Sequence, residues 1–376
     1  MREIGILIGY EYKKILQRRS SWISLGVVLI LVIFGGIAGV IGDYYMDGKR
    51  IGSNYDLVRQ ERKELESLTG RRLDEKLFPE VQEELNVSVL CMMIQREIGS
   101  RVKIDGENFY KCREKMLASN YQREKLSAGE IEFHKKEEKK IETPYLYGNM
   151  MGFERYFSIQ SVNGICLSFA LAICFAPMFA GEYASRMDAF VLTTRFGKNK
   201  LIAAKFLTGL SFAVFSELLV LGISLLEIGI FYGLSGWNLP IQVSTTGFYF
   251  SLPINLLEML GITAGCSIMA LCMTVFFVMF CSVKIKSSFG VIILNFIFIF
   301  LPEPLLLMVA EKRWLFMLVN SMPASMMEAR APMADQLFTM GNRHFYFYQL
   351  IPVVYLFLMA GLAWRTYRSF HDRVIV

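Results

Sequence analysis

Carboxylates set in apolar sequence are the first residues of this chain that could do chemistry. Glu217 and Glu227 lie in the run from Phe206 to Gly233, and Glu258 stands near the start of the run from Leu256 to Val283. An ionisable side chain inside a membrane is expensive and defaults to a functional role, so the three are candidates for a transport path that binds a cation or a polar solute. Ten residues separate Glu217 from Glu227, nearly three helical turns, which predicts projection near one face. Glu227 and Glu258 can reach the interface, whereas Glu217 is deeper. Docking is a second kind of chemistry. The segment Gly181 to Lys205, GEYASRMDAFVLTTRFGKNKLIAAK, sets Glu182, Arg186, Asp188, Arg195, Lys198, Lys200 and Lys205 around the apolar Phe190, Val191 and Leu192. Charged contacts flanking a short apolar stripe suit a protein partner, and binding to lipid headgroups is the plainer alternative.

Patterns of catalysis are mostly missing. Gly233-Leu234-Ser235-Gly236 has the G-x-S-G form found at the nucleophile of intramembrane serine proteases, which also needs a histidine base within the membrane. The histidines are His134, His344 and His371, all outside the apolar runs, so the segment reads as a turn. Neither G-x-x-x-x-G-K-[ST] nor H-E-x-x-H occurs, so this chain is not expected to hydrolyse ATP or to be a zinc hydrolase. Cys166, Cys174, Cys266, Cys272 and Cys281 fall in apolar runs as packing residues, and no cysteine has paired metal-ligand spacing. Only Cys91 and Cys112 lie elsewhere, with pairing left open.

The elements that position these residues are membrane helices. Of 376 residues, 54% are hydrophobic, and they gather in runs matching the roughly 20 residues needed to cross a bilayer. Six spans are expected, Trp22 to Ile41, Ser158 to Ala180, Phe206 to Gly233, Leu256 to Val283, Phe289 to Ala310 and Phe347 to Trp364. The fold class is an all-α polytopic membrane protein. An even number of spans puts both termini on one side. Lys13, Lys14, Arg18, Arg19, Arg195, Lys198, Lys284, Lys286, Arg365 and Arg368 all fall on that side, which is therefore expected to be cytoplasmic. Asp43 to Phe157 holds 21 Lys+Arg and 22 Asp+Glu, leaving 19 against 12 elsewhere. The basic surplus belongs to the cytoplasmic rim facing the lipid bilayer, so nucleic acid is not an expected partner.

The first apolar run, about 20 residues long, exceeds a signal-peptide core of about 7–15 and reads as a retained span. Before it, residues 1–21 mix Ile4, Leu7, Ile8, Tyr12, Ile15 and Leu16 with Glu11, Lys13, Lys14 and Gln17 at a spacing compatible with an amphipathic helix lying in the interface. After span one at 22–41 comes an extracytoplasmic insertion, 42–157. Leu77, Val81, Leu85, Val89 and Met93 recur every fourth residue, and Glu107 to Ile141 is a second helical stretch broken near Gly129, so a small helical domain is expected. Residues 158–376 carry the other spans, the connection 181–205 and an outer segment 302–346. There Pro302-Glu303-Pro304 and Met322-Pro323 interrupt apolar sequence, which predicts short re-entrant helices.

This order of parts resembles a permease of the type-2 ABC transporter superfamily, in the branch with a large extracytoplasmic domain between the first two spans. The local match is Glu182 after span two, a hydrophobic stretch from Ala189 to Leu192, a basic turn from Arg195 to Lys200, and Lys205 opening span three. Arg186 and Met187 stand where the family often has Gly then Thr, and the usual Pro of the turn is replaced near Arg195 and Phe196. The resemblance implies the transmembrane subunit of an exporter in a bacterial plasma membrane. It further implies a second permease subunit, identical or related, and a separate ATP-binding subunit that would carry ATP and Mg. The connection between spans two and three would supply a coupling helix for that ATPase. An ion-driven secondary transporter and a membrane-anchored sensor are the competing classes, and no internal inverted repeat favours the first of these.

Overall fold

The computed structural model describes residues 2–187, 193, 200–309, 312–341 and 343–371. Six helices among them are long and apolar enough to cross a membrane: Arg19–Ile37, Met151–Ala184, Lys200–Phe231, Leu256–Lys284, Ser288–Leu306 and Phe347–Phe370, hereafter spans one to six. The chain is a mainly helical multi-pass membrane protein. Helices run past the ends of the apolar runs. Span two begins at Met151 rather than Ser158, and span three at Lys200 rather than Phe206, so Lys200 and Lys205 are helical residues and not part of a loop. Span one shifts the other way, starting at Arg19 and ending at Ile37, with Ala38 to Val40 in a turn.

Span four is the centre of the bundle. Its apolar window is 78% buried within the chain and that of span two 67%, against 22–28% for the other four. The outer helices turn large apolar side chains such as Leu226, Phe289 and Phe357 outward, as lipid-facing surfaces require. Small residues let helices approach. A Cβ on Gly209 of span three would lie 2.9 Å from Val275 of span four, and one on Gly164 of span two 3.1 Å from Met327.

Topology gives the bundle two unlike ends. One carries the N-terminal helix Arg2–Leu16, the link between spans two and three, and the end of span six, where Phe370 packs on Phe179. The other carries the insertion and the segment between spans five and six. The insertion starts with the antiparallel hairpin Asp43–Met46 and Lys49–Ser53, turned by Asp47 and Gly48, both at positive φ (50° and 75°). Helices Asn54–Ser67, Phe78–Val81, Leu85–Ile98, Phe109–Arg123 and Ala128–Glu138 follow, with a strand pair joining Arg71–Arg72 to Leu146–Tyr147. Ser53 caps the first of these helices, and Ser127 with Glu130 forms a capping box on the last. That box puts the break at residues 124–127, ahead of Gly129.

The four-residue apolar spacing from Leu77 to Met93 does not continue as one helix. The chain leaves helical structure after Val81 and restarts at Leu85, so the buried stripe becomes Val87, Leu90 and Ile94, while Leu85 is 70% exposed. Cys91 and Cys112 remain separate thiols. Span five is two helices, Ser288–Phe300 and Pro302–Val309, and before span six come helices Arg313–Asn320 and Pro323–Met326 and the hairpin Phe338–Met340 with Arg343–Phe345.

The insertion is bonded to the spans and to that segment. Arg62 donates to the carbonyl of Ile230 at 2.9 Å and Asn149 to that of Tyr232 at 2.9 Å, closing the C-terminal end of span three, where Gly233 at φ +83° ends the helix. Arg113, fully buried, donates to the carbonyls of Phe248 and Phe250 and pairs with Glu138. Glu130 grips Arg313 through both oxygens and accepts from the Leu337 N–H at 2.8 Å.

Candidate functional site

Span two is broken where the charged connection begins. Pro177 removes one backbone donor and opens a separate helix, Pro177–Ala184. Ser282 of span four repairs the break: its hydroxyl donates to the carbonyl of Ala176 at 2.6 Å and accepts from the N–H groups of Phe179 and Ala180 at 3.1 and 2.9 Å. One donor and two acceptor positions exhaust what a serine offers. Ser282→Ala is expected to lower stability by about 2–4 kcal/mol, because buried backbone groups lose their partner. A thermal shift assay on the purified chain checks this, and an unchanged midpoint would contradict it.

The break aims Glu182 at span three. Lys205 has a fully buried side chain, and its ammonium donates to Glu182 Oε1 at 2.6 Å and to the carbonyl of Met178 at 2.7 Å. Residues 178 and 182 are four apart on one helix and so share a face. The ammonium also lies 4.5 Å from the ring centre of Phe179, an attractive arrangement for a desolvated cation. Glu182 Oε1 accepts a second bond, from Lys14 of the N-terminal helix at 3.1 Å, and Lys14 also donates to Glu11 at 2.9 Å. Partial burial pulls Lys14 down, but Glu11 and Glu182 outweigh it and hold the ammonium above its ordinary pKa. Glu182 Oε2 has no hydrogen-bond partner among the described residues.

Three elements thus meet on one carboxylate. The N-terminal helix lies alongside the start of span three, with Glu3 paired to Lys200 and the Tyr12 hydroxyl bonded to Ser211 at 2.7 Å. Helix Pro177–Ala184 ends in a Schellman-type turn, in which the Met187 N–H bonds the carbonyl of Glu182 and the Arg186 N–H that of Tyr183. Arg186 is the left-handed residue of that turn at φ 55°, a conformation that glycine adopts without cost. Asp188, Phe190, Leu192, Arg195 and Lys198 lie outside the described residues. Of the residues expected to dock a partner, the structure therefore joins Glu182 to Lys205 and Lys200 to Glu3. Lys14 and Glu11 belong to the same network. Their charges at i and i+3 on an amphipathic helix were visible in sequence, but their partner on span two was not.

The membrane carboxylates do not form a cluster. Ten residues turn a helix by 2.8 turns, which leaves Glu217 and Glu227 about 80° apart around the axis. Glu217 is buried beside Tyr156 of span two and Ser267 of span four. Glu227 lies against Gly36 of span one. Glu258 bonds the Asn255 N–H at 2.9 Å and completes a capping box that starts span four. Gly233 to Gly236 lies in the non-helical link after span three, with a turn beginning at Ser235. His134 and His344 are bonded to Asp335 and Thr339 rather than to Ser235.

Comparison with protein-family models, with curated proteins and with solved structures finds no match to this chain.

Proposed function

We propose that this chain is the transmembrane subunit of an ABC-type exporter, working with a separate ATP-binding subunit and a second permease subunit. The observation that carries the reading is the Lys14–Glu182–Lys205 network. It ties the N-terminal helix to both flanks of the connection between spans two and three. A push on that connection would pass directly into spans two and three and into the interfacial helix, which is what coupling to an external motor demands. The basic residues at this end of the bundle support a cytoplasmic location, with both termini inside and the insertion outside. The absence of a phosphate-binding loop from the sequence makes the ATPase a separate chain. Of Glu217, Glu227 and Glu258, Glu217 is the one buried among spans two, three and four, and it is retained as the candidate for a polar role in transport.

The reading is tested on the connection itself. A chain carrying Arg195→Glu and Lys198→Glu is expected to insert normally but to retain about tenfold less ATP-binding subunit on affinity purification, a loss of roughly 1.4 kcal/mol of docking. Equal retention would move the interface elsewhere.

A further inference from the structure

A cavity of about 550 Å3 opens at the insertion end, where helices Leu85–Ile98 and Phe109–Arg123 face the segment from Phe316 to Gln336. This size falls within the range of small-molecule sites. Tyr249, Phe250 and Phe316 give it aromatic walls, and Glu328, Asp335 and Gln336 give it acceptors. Gln336 is 5% exposed, yet among the described residues its Oε1 has no hydrogen-bond partner. Asp335 uses one oxygen to accept from Asn120 at 2.8 Å. The arginines nearby are already engaged. Arg123 pairs with Glu97 and donates to Asn120 at 2.5 Å, and Arg330 donates to the carbonyl of Thr245 at 3.1 Å. Arg96 also borders the cavity but is exposed.

Arg113 and Arg123 act on the Asp335 carboxylate and Arg330 on that of Glu328, but burial outweighs them. Burial, with Glu124 close by, pushes the Asp335 carboxyl up to about 7, and burial with a hydrogen bond to Glu303 pushes Glu328 to about 7. His134, whose ring nitrogen bonds the Asp335 carbonyl, has its own pKa lowered by burial and supplies no charge at neutral pH. A buried carboxylate is stabilised by a cation placed against it, and aromatic faces attract the same charge.

We propose that this cavity binds an amine-bearing amphipathic molecule of short-peptide size. Asp335, Glu328 and the Gln336 side-chain carbonyl hold its cation, and Tyr249, Phe250 and Phe316 pack against its apolar part. The site is independent of the coupling reading, since it lies at the opposite end of the bundle and its occupancy needs no ATPase.

The test is calorimetric titration of the purified full chain in lipid nanodiscs with the tripeptide amide Lys-Phe-Lys, beside Glu-Phe-Glu amide as the charge-reversed control. The cationic peptide is expected to bind and the acidic one not. Asp335→Asn and Glu328→Gln are each expected to weaken binding about tenfold, or roughly 1.4 kcal/mol. Affinity should fall between pH 8 and pH 6, as both carboxyls take up protons. Gln336→Glu adds an acceptor charge and should tighten binding, which guards against loss through misfolding alone. No binding at millimolar peptide, equal binding of the acidic peptide, or indifference to all three substitutions would overturn the proposal.

Discussion

Glu182→Ala is expected to destabilise the chain by roughly 3–5 kcal/mol, the cost of leaving a buried charge unpaired. Lys205 would keep only the Met178 carbonyl and the Phe179 ring, with its side chain wholly shut from solvent. The converse change should be milder. Lys205→Met leaves Glu182 still facing Lys14, and Lys14 is 47% exposed at the side chain and can adjust. Combining Glu182→Ala with Lys205→Met should recover part of the loss, because neither charge is then left buried without its partner. Thermal unfolding of the four proteins in one detergent reads this order. A larger loss for Lys205→Met than for Glu182→Ala, or strict additivity in the double variant, would show that the carboxylate is not the hub. Glu182→Ala should also detach the N-terminal helix, seen as faster amide exchange between Arg2 and Leu16.

Glu130→Ala is the second large effect, at the other end of the bundle. Despite its burial, the bidentate Arg313 pair, the Leu337 N–H and Ser127 hold the Glu130 carboxyl at about 2, against an ordinary value of 4.5. That difference corresponds to roughly 3 kcal/mol, and about 2 once partial solvent screening by the 36% exposed Arg313 is allowed for. The sign follows from the lowered value. The contribution is complete above the unfolded carboxylate's pKa and is lost as pH falls through the folded one, so the window runs from about pH 4.5 down to about 2. Wild-type protein should release the insertion from the 313–337 segment across that window. Glu130→Ala should behave at pH 6 as wild type does near pH 2, with Leu337 and its neighbours opened to amide exchange. A stability that is equal in the two proteins at pH 6 would contradict the clamp.

Much of the membrane half was legible because continuous apolar runs leave little choice of structure. Six runs became six helices. Their ends were harder to read. Lys200 and Lys205 look like loop residues beside Gly197 and Asn199, yet a membrane helix continues past its apolar part as long as polar side chains find partners, here Glu3 and Glu182. The insertion was legible as helical but not in its packing. Its second buried stripe is set by the restart at Leu85, which no periodicity spanning Leu77 to Met93 could reveal. Asp47-Gly48 is a turn signal legible in the sequence, and it closes the hairpin that precedes the helices.

The candidate site divides in the same way. The charges at Glu182 and Lys205 stood out as polar residues at the edges of apolar runs. Their meeting with each other depends on Pro177 and Ser282, which redirect the end of span two toward span three through contacts among three spans. Spacing alone placed Glu217 and Glu227 nearer together than they are, because nearly three turns is not three turns. Glu258 carries an N-cap signal with Asn255 that was present in the sequence all along.

The most direct measurement of the central claim is affinity purification of the full chain from its native membranes in gentle detergent, with Mg-dependent ATP hydrolysis and partner identity read on the same sample. The expected result is a co-purifying ATP-binding subunit whose retention falls on Glu182→Ala. A folded chain that brings no nucleotide-binding subunit and no ATP hydrolysis would contradict the account.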